Sequence, residues 1–423
     1  MSNLFLLVIC FFTSVGVHAQ ITFINCGKLI DGKGNVALSE MTIIVEANKI
    51  KTIKEGYFTG PAGTTFIDLK KYTVMPGLID CHVHLSDETS KNKYSEQFVL
   101  NQEDFAYRSV GYAERTLMAG FTTVRDLGGT IALSLRNAIN AGYIKGPRII
   151  AAGKSIATTG GHADPSNGVN RELMKDPGAK EGVINSPEEA RKAVRQRYKE
   201  NSDLIKITAT GGVLSNAKDG AGAQFTEDEL NAIINTAKDY GYKIAAHAHG
   251  AVGIKRAIKA GVTSIEHGTF MDDEGIALMK KHGTYLVATI TAGKSVADSA
   301  LIPGYYPPFV VKKALETGPR IQATFAKAYK AGVKIAFGTD AGVFVHGKNY
   351  KEFEYMVEAG MPPMVAIKSA TVEAAKLLGI TDIGIIEPGK LADIVAIDGD
   401  PIKDIRKMKE IRFVMKEGIV YKQ

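Results

Sequence analysis

The sequence predicts an α/β protein: a (β/α)8 TIM-type barrel with a small β-sandwich domain built from both termini. Three observations predict it. Both ends of the chain read as short alternating strands broken by turn residues. The middle alternates apolar strands with amphipathic helical segments, the pattern of βα units around a parallel sheet. The polar residues of the middle gather where its strands end, which is where barrel enzymes carry their chemistry.

A chain of 423 residues has room for one large barrel and an accessory domain. Hydrophobic content of 45% and charged content of 23% are ordinary for a globular protein and exclude a disordered or fibrous chain. The net charge of +7 is spread along the sequence without a block of like charges or a nucleic-acid module, so no nucleic-acid partner is expected.

Residues 1–19 read as a signal peptide. An apolar run over residues 4–12 precedes Val17-His18-Ala19, a small-x-small cleavage site. The run is too short to span a bilayer. Ile9 precedes Cys10 where a lipid-anchored precursor would carry a small residue, so no stable membrane anchor is expected. The expected location is secreted or periplasmic after cleavage. Cys26 and Cys81 fall in different predicted domains, which argues against a disulfide between them.

Residues 20–74 form the first part of the β-sandwich domain: "ITFINCGKLI" and "MTIIVEANKIKTI" alternate, and "DGKGN" is turn punctuation. Residues 75–380 form the barrel. Its strands are "VMPGLIDCHVH", "FTTVRDLGG", "PRIIAAG", "DLIKITATGG", "KIAAHAHG", "VTSIEHGT", "TYLVATI" and "VKIAFGTDAG". Between them lie helices such as "TEDELNAIINTAKDYG", with Thr226 and Glu229 as a capping box and Gly241 as its stop. Residues 381–423, with "ADIVAIDGDP" and "IRFVMKEGIVYK", complete the β-sandwich domain.

In "IDCHVHL", strand alternation turns His82 and His84 to one face and Cys81 and Val83 to the other. Two neutral imidazoles on one face suit a divalent metal. Such a pair is as often a feature of a half-buried strand, so the later strand ends decide. Lys206 in "LIKITATGG", His247 and His249 in "AAHAHG", His267 in "IEHGT" and Asp340 in "GTDAG" all fall at the same end of successive units. Buried polar groups in such number need a common partner, and a metal cluster is one.

The combination of His-x-His, a Lys, two further His and a final Asp resembles the amidohydrolase superfamily with two metals. "TGGH", "HAHG", "SIEHGT", "GTDAGVFVHG" and "EPGKLADIVAIDGDP" resemble its prolidase-like and arginine/lysine-carboxypeptidase-like dipeptidases, with imidazolonepropionase more distant. The resemblance implies two divalent metal ions, zinc being the expected metal. It implies that His82, His84 and Asp340 hold the buried ion and His247 and His267 the exposed one. Lys206 would bridge both as a carbamate formed with carbon dioxide, since an ammonium has no lone pair to offer. Metal-bound hydroxide would attack an amide carbonyl, with Asp340 as proton shuttle and His162 of "TTGGHADP" stabilising the oxyanion. His249 and His346 are candidates for binding the substrate carboxylate, and Asp164 for pairing with a cationic side chain. Tyr305 and Tyr306, after the seventh strand, are candidates for a lid.

The implied activity is that of a secreted metal-dependent dipeptidase or carboxypeptidase cutting before a C-terminal Arg, Lys or Pro. "GGHAD" with "HAHG" points by resemblance to the cationic group. The expected partner is a small dipeptide-like substrate, and a homo-oligomer is compatible with the sequence. The alternative is a cyclic-amide hydrolase of the imidazolonepropionase type, which would need no bridging lysine.

Overall fold

The computed structural model of the chain describes residues 20–216 and 219–423; the signal peptide assigned to residues 1–19 lies outside the described residues. Four strands open the fold: β1 (Ile21–Leu29), β2 (Leu38–Glu46), β3 (Lys49–Glu55) and β4 (Thr65–Pro76). Nine follow through the middle of the chain: β5 (Leu78–Val83), β6 (Phe121–Asp126), β7 (Arg148–Ala151), β8 (Ala157–Thr158), β9 (Val183–Ile184), β10 (Ile205–Thr208), β11 (Ile244–Gly250), β12 (Ser264–Phe270) and β13 (Tyr285–Val287). The last three are β14 (Ile394–Ile397), β15 (Ile411–Lys416) and β16 (Ile419–Lys422).

Both chain ends build one seven-stranded sheet of order β16-β15-β14-β4-β1-β2-β3. Ile24 on β1 sits opposite Ile43 of β2 and Ile67 of β4, so the period-two pattern puts three isoleucines on one face. With Ile394 and Phe413 from the far end of the chain they form a separate apolar core. Arg148 of β7 joins this sheet to the rest: its guanidinium donates to Asp393 at 2.7 Å and to Glu417 at 2.5 Å.

The barrel runs in chain order. β5, β6 and β7 pair in parallel, as do β10 to β13. The backbone beyond β7 closes the gap between the two sets, with Asp203 N donating to Ala151 O and Ile156 N to Lys206 O. The helix Glu227–Asp239 starts with the Thr226–Glu229 capping box and is followed by Gly241 at φ +72°. Among the described residues no helix is long and apolar enough to cross a membrane.

The eighth strand differs from the sequence expectation. "VKIAFGTDAG" closes the barrel by isolated bridges, Leu286 with Ile335 and Val83 with Ala341, rather than by a regular ladder. The backbone leaves extended geometry at Asp340 (φ +61°) and Gly342 (φ +113°). A Cβ at Gly342 would lie 2.7 Å from the His84 carbonyl oxygen, so glycine lets this segment close against the first strand. The break in the ladder is what turns the Asp340 carboxylate inward.

Candidate active site

His82 lies in β5 and His84 one residue beyond it, with ring centroids 5.4 Å apart. Their Nε2 atoms stand 3.4 and 3.2 Å from Asp340 Oδ1, yet that oxygen is buried without a hydrogen bond of good geometry. Lone pairs therefore converge on a common point instead of on one another. Asp80, which sequence reading passed over, ties the first and eighth strands together there. Its carboxylate accepts from His82 N, Thr339 N, Thr339 Oγ1 and Asn349 Nδ2 at 2.6–3.1 Å.

His247 and His249 share a face of β11, and His267 stands in the middle of β12 at φ +71°. Their ring nitrogens form a second compact triad beside the first, and the His82 and His267 centroids are 5.1 Å apart. His249 thus looks into the same cavity as His247, as strand alternation predicts, with a ring nitrogen close to those of His247 and His267. The cause is the strand itself, which continues to Gly250 and keeps its alternation. Lys206 lies inside β10 and lines the same cavity.

The outer nitrogens of these imidazoles are committed. His82 Nδ1 donates to Glu266 at 2.9 Å, and Glu266 in turn accepts from Arg125 and Ser264 in a wholly buried network. His267 Nδ1 meets Thr289 Oγ1 at 2.7 Å, and His249 Nδ1 meets Thr269 Oγ1 at 2.8 Å. His247 is the reverse case: its Nε2 donates to Gly211 O at 3.1 Å, leaving Nδ1 for the cavity. Such outer partners fix tautomer and orientation in metal-binding histidines. Glu266, Arg125 and Thr289 were missed in the sequence. The Glu of "IEHGT" was a visible signal, since an acid inside a buried strand must be answered by a buried partner.

His162 stacks on His247 with centroids 4.2 Å apart, and its Nδ1 is buried without a partner. Its place depends on Gly212, where a Cβ would come within 2.2 Å of the imidazole. Two other candidates stand outside the cavity of the triads. Asp164 accepts from its own loop, from Gly160 N, Ser166 N and Ser166 Oγ, and lines the second of the two cavities. His346 is stacked on Tyr112, with Nε2 donating to Asp87 O, and lines neither cavity described below. The chain leaves extended geometry at Asp340 (φ +61°) and Gly342 (φ +113°), before His346, which breaks the alternation that would have aimed His346 inward.

The two triads and Lys206 face a cavity of about 380 Å³. Its other wall is apolar: Val213, Leu214, Val296, Ala314, Ile321 and Val343. A second cavity of about 300 Å³ shares Lys93, His162, Leu214 and Val343 with the first and is lined by Tyr94, Tyr305 and Tyr306. Tyr305 and Tyr306 sit in the turn between the helices Ile290–Ala300 and Pro308–Lys330. Lys93, also missed in the sequence, pairs with Asp87 at 3.0 Å where the cavities meet.

Charge in the site follows from burial. It pushes Lys206 down to about 8, which makes the neutral amine accessible near physiological pH. It pushes His82 and His249 to about 4 and His162 to about 3, and drives His247 and His267 well below their usual value. Burial acts upward on Asp340 and Glu266, but His82, His84 and Lys206 around the first, and Arg125, His82 and Lys206 around the second, hold each at about 2. His84 is the exception among the imidazoles of the two triads, because its contact with Asp340 raises it against the effect of burial. Depressed imidazoles, an ionised carboxylate and a readily neutralised amine are a donor set that fits divalent metal.

The same shifts set how the metal-free protein responds to acid. A histidine depressed on folding binds fewer protons than its unfolded counterpart, so its contribution is intact above about 6.5 and is lost as pH falls towards 4. Asp80 and Asp126, raised to about 6, Glu352, raised to about 7, and His84, which the Asp340 carboxylate raises against the effect of burial, oppose this by taking up protons in the folded state. The depressed imidazoles of the cavity outnumber these groups, so the net effect of acid is destabilising. Urea midpoints of the metal-free protein should fall clearly between pH 7 and 5. A midpoint unchanged over that range would show that these rings are not neutral by burial.

The chain has extensive relatives. It is 52% identical to a Xaa-Pro dipeptidase solved with methionine bound in its active site, with a TM-score of 0.93 over 96% of this chain and 100% of that one. It is 32% identical to the ochratoxinase of Aspergillus niger, over 96% of this chain and 87% of that protein. It is 26% identical to the imidazolonepropionase of Fusobacterium nucleatum, over 90% and 93% of the two chains. The Amidohydrolase family model matches residues 73–420, a span that takes in every residue of both histidine triads. The chain belongs to the amidohydrolase family and is a hydrolase acting on amide bonds.

Proposed function

We propose that the protein is an exported metal-dependent dipeptidase that cleaves the amide bond before proline or another apolar C-terminal residue. The observation that carries this reading is the pairing of two donor triads with an apolar wall in one cavity. That wall suits an apolar leaving residue, as does the methionine bound to the 52% identical dipeptidase. A cationic residue has less support. The Asp164 carboxylate is engaged by its own loop, and Asp87 is already paired with Lys93. The leader-like start of the chain supports export.

In this reading His82, His84 and Asp340 would hold one ion and His247 and His267 the other. The neutral amine of Lys206 would add to carbon dioxide, forming an N–C bond as a C=O π bond opens and passing one proton to solvent, and the resulting carbamate would offer both ions an anionic oxygen donor. The bound ions supply Lewis acidity and lower the pKa of water. Asp340, ionised throughout the neutral range, accepts the proton of the attacking water and delivers it to the departing nitrogen. His162 faces the developing oxyanion from its seat against Gly212. With Thr269 donating to Nδ1, His249 presents Nε2–H to the substrate carboxylate, in the same cavity that Lys93 lines. A cyclic-amide substrate of the imidazolonepropionase type would leave Lys206 without a bridging task.

A panel of dipeptides varied at the C-terminal residue tests the proposal, each as free acid and as amide. Proline and apolar residues should be released fastest and arginine slowly. Losing a charge-assisted contact costs roughly 1.5–3 kcal/mol, so amidated forms should be about ten- to a hundred-fold poorer. Equal turnover of acid and amide would favour the cyclic-amide class, and preferential release of arginine would overturn the apolar assignment.

A further inference from the structure

We propose that Glu352 is a positioning residue of the active site, acting through Thr289 to hold the His267 imidazole in place. Glu352 is fully buried on the helix Lys351–Glu358. Ile290 N donates to its Oε1 at 2.8 Å, while Thr291 N and Thr291 Oγ1 donate to its Oε2 at 2.7 and 2.6 Å. These donors open the helix Ile290–Ala300, whose first N–H groups have no partner within the helix. The two oxygens of one carboxyl group suit that end as hydrogen-bond acceptors, here for two backbone N–H groups and a hydroxyl. Here it arrives from an element about sixty residues further along the chain.

Thr289 stands immediately before this helix at φ +54°, a conformation that β-branched residues rarely adopt. Its Oγ1 lies 2.7 Å from Nδ1 of His267, itself at φ +71°. Two strained residues thus meet through one hydrogen bond, and strain of this kind persists only where the surroundings hold it. The surroundings of Thr289 are the turn clamped by Glu352. The clamped helix also brings Ala292, Gly293 and Val296 to the cavity wall. Releasing the clamp lets Thr289 relax, withdraws its hydroxyl and frees the His267 ring to turn.

The positioning claim rests on the geometry of His267, and its metal consequence rests on the proposed role of His267 as a ligand. Glu352→Gln, Thr289→Val and the double variant separate the two. In the metal-free full chain labelled with 15N-histidine, both single variants should move the His267 ring signals in the same direction, and the double variant should move them no further. In chelator competition each variant should release one bound zinc about ten- to a hundred-fold more readily. Glu352→Gln with lowered thermal stability but unchanged His267 signals would overturn the proposal, as would a shift in Thr289→Val alone. Shifted ring signals with unchanged zinc retention would uphold the positioning and instead remove His267 from the metal ligands.

Discussion

Asp340→Asn should abolish most turnover while leaving much of the metal bound. The substitution preserves size and one oxygen donor, but an amide cannot accept a proton at neutral pH. In the wild-type protein Oδ1 stands 3.4 and 3.2 Å from the His82 and His84 nitrogens, so a carbonyl oxygen at that point still faces the same donor set. The backbone supports this outcome, because Asp340 N donates to His82 O at 2.7 Å and pins the residue independently of its side chain. Positioned proton transfer typically contributes 10²–10⁴-fold, and a loss of that order is expected. Steady-state turnover on a proline dipeptide and metal content by atomic emission give the two readings. Retained metal with a loss under tenfold would show that another group moves the proton. His162, stacked against His247, is then the next residue to replace.

What was legible in the sequence and what was not divide along physical lines. Residues on regular strands were readable, because period-two alternation is a local property: His82 with His84 and His247 with His249 keep common faces. The Thr226–Glu229 box was readable for the same reason, since both of its hydrogen bonds close within one turn. Residues on loops were not readable from periodicity, and His162 was reached only through the resemblance of its motif. His346 and Asp164 carry the right chemistry, but where a loop side chain points depends on backbone turns and on hydrogen bonds such as that from Gly160 N to Asp164. The eighth strand looked like a strand because its first half is apolar, while Asp340 and Gly342 take positive φ. Glu352 lay beyond reach altogether, since its partners are about sixty residues away and nothing local marks an acidic helix residue as buried.

Lys206→Ala should remove much of the bound metal, and with it nearly all activity. Lys206 is almost wholly buried and lines one cavity with six imidazoles and Asp340, and burial lowers its pKa to about 8. As an ammonium it would repel cations at the centre of a metal site; as a neutral amine it reacts with carbon dioxide and gains two oxygen donors. Alanine leaves the His82–His84–Asp340 triad intact but deprives the His247–His267 side of its anionic ligand. His247 and His267 alone carry no compensating charge there, so that side should empty first. Metal content after purification with zinc and bicarbonate should fall from near two ions per chain towards one or fewer. Short-chain carboxylic acids, small enough for the space vacated by the side chain, should restore part of the metal and part of the turnover. A wild-type protein that binds equally well with carbon dioxide rigorously excluded, or a Lys206→Ala protein with full metal and full turnover, would remove the carbamate. The lysine would then be a buried cation held against Glu266 and Asp340, and the negative charge needed between the triads would have to come from the substrate itself.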